Sequence, residues 1–157
     1  ERSVEIQWQE SLGEYLALSE KFDVRTGPLV AYRDPEIGPE YAYFHSKNTP
    51  SLEILNEASE RRKFKGTAIS PPFIIIKRTS SPGDKYRASA SLINLNEMVA
   101  VENHMIVIKP KNNSLNECKK LMKILKSEST NKFLNSRIRL RHLTVQVIKD
   151  IPLKKTS

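Results

Sequence analysis

The tetrapeptide Phe73-Ile74-Ile75-Ile76 constrains this chain more than any other feature. It is apolar at every position and mostly β-branched, so as a strand it presents hydrophobic side chains to both faces. Such a strand belongs in the centre of a sheet covered on both sides. Pro71-Pro72 stiffens its entry, and Lys77-Arg78-Thr79-Ser80-Ser81-Pro82-Gly83 makes a polar turn at its exit. Residues 86–93 alternate and are expected to pair back antiparallel to it. Residues 98–101 and 105–108 predict two more strands, broken by Glu102-Asn103-His104.

The remaining segments predict helices and one long loop. Ser11-Leu12-Gly13-Glu14 fits a capping box, followed by a short helix to residue 19 with Leu12, Tyr15 and Leu16 on one face. Residues 22–25 read as a short strand stopped by Thr26-Gly27-Pro28. Residues 33–50 are rich in Pro, Gly and Asn, with a single apolar run at 41–44. Leu52, Leu55 and Ala58 recur at helical spacing behind Ser51, which predicts a helix over 51–62. Ser114-Leu115-Asn116-Glu117 is a second capping box. Its helix buries Leu115, Cys118, Leu121, Met122 and Leu125 and turns Lys119, Lys120, Lys123 and Lys126 outward. Residues 129–136 suggest a shorter helix holding Phe133 and Leu134. Residues 143–151 carry two patterns. Leu143, Val145 and Val147 alternate as in a strand, whereas Thr144 as N-cap, with Ile148 and Ile151 before Pro152, spells a short helix. The fold class is α+β, a mixed and largely antiparallel sheet flanked by helices, in a single domain spanning 1–157.

Charge narrows the function. The 157 residues hold 26 Lys+Arg against 18 Asp+Glu, a net charge of +8. Residues 1–60 carry 5 basic and 12 acidic side chains, 61–108 carry 8 and 3, and 109–157 carry 13 and 3. A surplus concentrated in the later chain has the form of a polyanion footprint, with a solvated lysine face as the plainer alternative. Glycines at 13, 27, 38, 66 and 83 are too scattered for a G-x-G-x-x-G loop or a P-loop, which excludes a glycine-rich nucleotide or S-adenosylmethionine pocket here. His45, His104, His142 and Cys118 lack metal-ligand spacing. Glu117-Cys118-Lys119 has a nuclease-like spacing, but its glutamate is already assigned to helix capping. Cys118 is the sole cysteine, so no internal disulfide forms and a reducing, cytoplasmic setting is expected. No apolar run nears the ~20 residues of a membrane span, so no membrane partner is expected. The chain begins at Glu1 without Met, the expectation being a piece of a longer protein.

Two basic clusters carry the binding expectation. Lys77, Arg78, Thr79 and Ser80, with Lys85 and Arg87 beyond, offer guanidinium forks and hydroxyls to phosphate or guanine. Arg137, Arg139, Arg141 and His142 form the second, alternating with Ile138, Leu140 and Leu143 so that the arginines share a face if the segment is extended. Asn103 and His104 sit at a strand break, suited either to reading a base edge or to holding a bulge. Ser70-Pro71-Pro72-Phe73 resembles the (Asn/Asp/Ser)-Pro-Pro-aromatic motif of amino-group methyltransferases. That motif follows a strand, whereas here a strand begins at it; a stiff strand entry is the simpler account.

Taken together, Pro71-Pro72-Phe73-Ile74-Ile75-Ile76-Lys77-Arg78-Thr79-Ser80 and Tyr86-Arg87-Ala88 resemble the C-terminal target-recognition domains of bacterial restriction-modification adenine-N6 DNA methyltransferases. Val101-Glu102-Asn103-His104 is similar to the Glu-Asn-His element of that group. Phe133-Leu134-Asn135, Arg141-His142-Leu143-Thr144-Val145-Gln146 and Asp150-Ile151-Pro152-Leu153 resemble the end of such domains. The resemblance covers residues 68–153, and more loosely the first 60 through Ser11-Leu12-Gly13 and Thr26-Gly27-Pro28-Leu29-Val30. It implies a short helix capped by Thr144, sequence-specific binding of double-stranded DNA, and no catalysis by this segment alone. It also implies an upstream methyltransferase domain that holds S-adenosylmethionine, with or without a fused nuclease. The expected contacts, read from residue type, are Lys77, Arg78, Thr79, Ser80, Lys85, Arg87, Asn103, His104, Arg137, Arg139, Arg141 and His142, and polarity and position place specificity in loops 33–50 and 77–87. The rival readings are a methyltransferase or nuclease catalytic fragment centred on Ser70-Pro71-Pro72-Phe73, and a basic protein-interaction module. RNA binding by base stacking is disfavoured by an aromatic content of 7%.

Overall fold

A computed structural model describes residues 14–80 and 83–155. Strand β6 (Phe73–Lys77) is the centre of a five-stranded sheet, with β9 (Met105–Pro110) and β7 (Ala90–Ile93) antiparallel on its two sides. Outside them lie β2 (Phe22–Thr26), antiparallel to β9, and β4 (Ile54–Leu55), parallel to β7. A three-stranded sheet has β3 (Glu40–Phe44) between antiparallel β5 (Glu60–Lys63) and parallel β8 (Val99–Val101). The third, two-stranded sheet pairs β1 (Tyr15–Ala17) with β10 (Pro152–Lys154). The sheets are thus mixed and largely antiparallel, as expected of an α+β fold.

The double covering of β6 follows from its alternation. Ile74 and Ile76 join Phe22, Leu92, Ile106 and Ile108 against helix α1 (Leu115–Leu125), helix α2 (Glu128–Arg137) and helix α3 (Val145–Lys149). Phe73 and Ile75 face the other way, into a second core with Phe44, Ile69, Val99 and Val107. Four of the five β6 side chains, Phe73 to Ile76, are buried, each contributing roughly 1.5–3 kcal/mol. Helix α1 forms where its periodicity predicts, burying Cys118, Leu121, Met122 and Leu125. Its capping box is half formed. Ser114 Oγ accepts the Glu117 N–H (3.1 Å), but the Ser114 N–H donates to Asn112 and the Glu117 carboxylate turns to Lys21 (3.4 Å) and Lys120 (3.8 Å). The 143–151 ambiguity resolves as the Thr144-capped helix α3, with Thr144 Oγ1 accepting the Val147 N–H at 3.1 Å.

Two expected helices do not form. Within 51–62, the Leu52 N–H donates to Ala90 (2.7 Å), Glu53 accepts from Leu92 (2.9 Å), and Leu55 accepts from Asn94 (2.8 Å). Leu52 also takes a positive φ of 66°, incompatible with a right-handed helix. The edge of β7 captures this segment, and long-range hydrogen bonds outweigh its weak helical periodicity. The second case is the expected helix ending at residue 19, whose Ser11, Leu12 and Gly13 lie outside the described residues. Tyr15–Ala17 is instead a strand paired with Pro152–Lys154, and the Leu18 N–H bonds to the Ile151 carbonyl at 2.9 Å.

Candidate nucleic-acid interface

Three segments distant in sequence meet at the carboxyl end of β6. Arg78 links them: its N–H donates to the His104 carbonyl (3.2 Å), and its carbonyl accepts the Leu143 N–H (2.7 Å). Thr79 bridges antiparallel to His142, with Oγ1 and Nδ1 3.4 Å apart, and the Ser80 N–H donates to the Arg141 carbonyl at 2.7 Å. Arg78 to Ser80, Arg141 to Leu143 and the Asn103-His104 turn are therefore placed side by side. Beside them opens a cleft of about 500 Å³ whose walls include Tyr32, Lys47, Lys77, Arg78, Asn103 and His104. Tyr43 and buried Glu102 also line it. Burial, reinforced by the Glu102 charge, raises the Tyr43 hydroxyl above its ordinary pKa.

The turn carrying Asn103 and His104 is pinned. The Glu102 N–H donates to Phe44 (3.0 Å), Asn103 to Leu29 (2.8 Å), and Met105 to the Glu102 carbonyl (3.1 Å). Gly27 runs directly beneath. A Cβ there would lie 2.1 Å from the Glu102 carbonyl oxygen and 2.5 Å from that of Val101. Only glycine permits so close an approach of two backbones.

Arg87 is where expectation and structure part. It is fully buried. Its Nε donates to Ser80 Oγ (3.0 Å), one terminal nitrogen to Asn135 Oδ1 (2.8 Å) and the Ile138 carbonyl (2.7 Å), and the other to the Leu140 carbonyl (2.9 Å). Burial lowers its pKa from the usual arginine value, opposed by the charge of Asp84. Arg87 cannot touch DNA; it clamps residues 138–140 onto Ser80. Ser80, 5% exposed, is likewise an internal partner rather than a phosphate contact.

The other expected residues are distributed unevenly. Thr79, Lys85, His104, Arg139, Arg141 and His142 are exposed, while Lys77, Arg78 and Asn103 are half-buried along the cleft. Arg139 and Arg141 have no ion-pair partner among the described residues. Arg137 is partly spent, bonded to Asp150 (2.9 Å) and lying over the Phe133 ring at 5.3 Å. Lys85 sits over Tyr86 at 5.4 Å. The simple alternation of apolar and basic residues fails at Leu140, which is 78% exposed because the Arg87 clamp holds its carbonyl inward. Tyr32, 91% exposed, and Lys47 belong to the cleft without having been singled out, although both flank or fall within the loop expected to carry specificity.

In the acidic first third, Glu40 is paired locally with Arg61 (2.8 Å) and Glu36 with Arg62 (3.2 Å), and Glu97 also meets Arg61 (2.9 Å). Ser70-Pro71-Pro72-Phe73 does not fit a methyl-transfer site. The Phe73 ring is fully buried and cannot stack on a base, and Lys109 Nζ donates to the Ser70 (2.6 Å) and Pro72 (3.3 Å) carbonyls. Desolvation of Lys109 in that position lowers its pKa. Among the described residues no group of three His, Cys, Asp or Glu is placed to hold a metal ion, and no helix is long and apolar enough to cross a membrane.

No family model and no curated protein matches this chain. Among solved structures it is similar to the HsdS subunit from Thermoanaerobacter tengcongensis, at 15% identity over 98% of this chain and 39% of that one, with a TM-score of 0.56. It is also similar to a chain in a type I R-M system described for its complex assembly and conformational transition, at 12% identity over 88% and 33%, with a TM-score of 0.54. The likeness is one of fold. This chain spans 33% to 39% of the length of these neighbours.

Proposed function

We propose that this chain, which shares the fold of an HsdS segment, is a DNA target-recognition domain of a restriction-modification system. The observation that carries the reading is the convergence at the end of β6. Arg78 to Ser80, Arg141 to Leu143 and His104 are joined there by backbone hydrogen bonds and a bridge, and Lys77, Arg78, Asn103 and His104 line one cleft. Rigid backbone beneath mobile cationic side chains suits duplex binding: the cations meet phosphates, and the pinned turn meets base edges. Lys47, Lys77, Arg78, Arg139 and Arg141 supply the phosphate contacts. Methyl transfer to adenine, and S-adenosylmethionine, belong to a separate catalytic domain or subunit. The setting is the cytoplasm, where such a partner and its DNA meet.

Titration of fluorescent duplex with the chain at increasing salt tests this. If those five cations each meet a phosphate, log K falls against log salt with a slope of about −4.5. Selection from a random-sequence duplex pool should then enrich one site. Absence of duplex binding at low salt would sink the proposal and favour a protein-interaction module.

A further inference from the structure

Glu102 and His104 form a pair whose geometry is more specific than a cationic cleft requires. The Glu102 side chain is 8% exposed and that of His104 67%, so a buried carboxylate underlies an imidazole that projects into solvent. One carboxylate oxygen, Oε1, accepts the His104 backbone N–H (3.0 Å) and contacts His104 Nδ1. The backbone on both sides is fixed, since the His104 carbonyl accepts from Arg78 and the Asn103 N–H donates to Leu29. An ionised carboxylate only accepts, so the ring nitrogen beside it carries the proton. In the neutral imidazole the other nitrogen, Nε2, is then a bare acceptor directed outward.

We infer that His104 is a specificity-determining residue that accepts a hydrogen bond from an exocyclic amino group in the major groove, with Glu102 as the positioning residue that sets its tautomer. The inference rests on the duplex-binding reading above and adds the chemical class of base. Phosphate oxygens are acceptors and offer nothing to an unprotonated Nε2, which in the neutral ring separates His104 from the neighbouring Lys77 and Arg78. In the major groove the donors are the adenine N6 and cytosine N4 amino groups, while guanine presents only acceptors there. His104 therefore selects a position occupied by adenine or cytosine.

The test combines ring-nitrogen NMR of the whole chain with duplex selection from a random pool, using the wild type, His104→Ala and Glu102→Gln. The NMR spectrum is expected to show the Nδ1-protonated tautomer at His104; a proton on Nε2 would overturn the inference. In the selection, wild type should hold one adenine or cytosine whose preference falls about tenfold in both variants, other positions being unchanged. Removing the amino group from that base should weaken wild type by about the same factor and leave His104→Ala unaffected. His104 is exposed, so its variant keeps the test valid even if Glu102→Gln fails to fold. Variants that select an unchanged sequence with uniformly weaker binding refute the role of His104 alone. A wild type that binds no duplex removes the DNA reading and this inference with it.

Discussion

Replacing Arg87 separates a structural role from a DNA contact more sharply than any other substitution. Its guanidinium makes four hydrogen bonds of 2.7–3.0 Å within a fully buried site. Bonds to a charged donor are each worth about 1.5–3 kcal/mol, but they share one side chain and do not add. The Ile138 and Leu140 carbonyls lie near the surface, where water can reach them once the clamp is gone. Arg87→Ala is therefore expected to cost about 3–5 kcal/mol, within the range for breaking a buried charged network. With a denaturant slope of about 2 kcal/mol/M, the urea midpoint should fall by about 2 M. Arg87→Lys should lose nearly as much, because a single ammonium cannot span Ser80, Asn135 and two carbonyls in different directions. A residue that merely contacts phosphate would instead tolerate lysine with little loss of stability. A midpoint for Arg87→Lys within experimental error of wild type would refute the clamp.

Three other perturbations have defined outcomes. Arg139→Gln combined with Arg141→Gln should leave the unfolding free energy from urea denaturation within about 0.5 kcal/mol of wild type, both side chains being exposed, yet reduce the salt slope of duplex binding by about 1.8. Gly27→Ala should cost at least about 1–3 kcal/mol in chemical unfolding, because its Cβ meets backbone oxygens that cannot turn aside, and should shift the NMR resonances of Asn103 and His104. Burial raises the Cys118 thiol from 9.0 to about 11, so the native state keeps its proton where the unfolded chain releases it. The stabilising difference is fully present below pH 9 and is lost as pH rises from 9 towards 11. Wild type minus Cys118→Ala stability, measured by urea unfolding across that range, should show this decline, and a flat difference would contradict it.

What was legible locally was legible for physical reasons. Phe73-Ile74-Ile75-Ile76 has no polar face and is mostly β-branched, which favours a doubly covered strand, and both cores form around it. Ser114 and Thr144 are each N-caps as expected, because a side-chain oxygen satisfies an orphan N–H whatever surrounds the helix. Leu52, Leu55 and Ala58 misled because three apolar residues at helical spacing are a weaker force than hydrogen bonds to the edge of β7. Tyr15 misled similarly, since its strand partner Lys154 lies at the opposite end of the chain. At the interface, residue type marked the basic clusters, but solvent exposure was not encoded locally. Arg87 and Arg139 are the same amino acid in similarly basic surroundings, yet one is a buried clamp and the other faces solvent.

Composition and pattern alone established an α+β architecture, a cationic later chain, and the absence of a glycine-rich cofactor loop. These depend on side-chain chemistry and on periods of two or three to four residues, which act over short distances. Tertiary structure decided which cations share a surface, which are consumed internally, and that Glu102 lies beneath His104. Those outcomes depend on pairings among β6, the turn after β8 and the segment after α2, whose register is set by the packing of two cores. Short-range patterns specify each element's faces; only the assembled cores determine which faces meet.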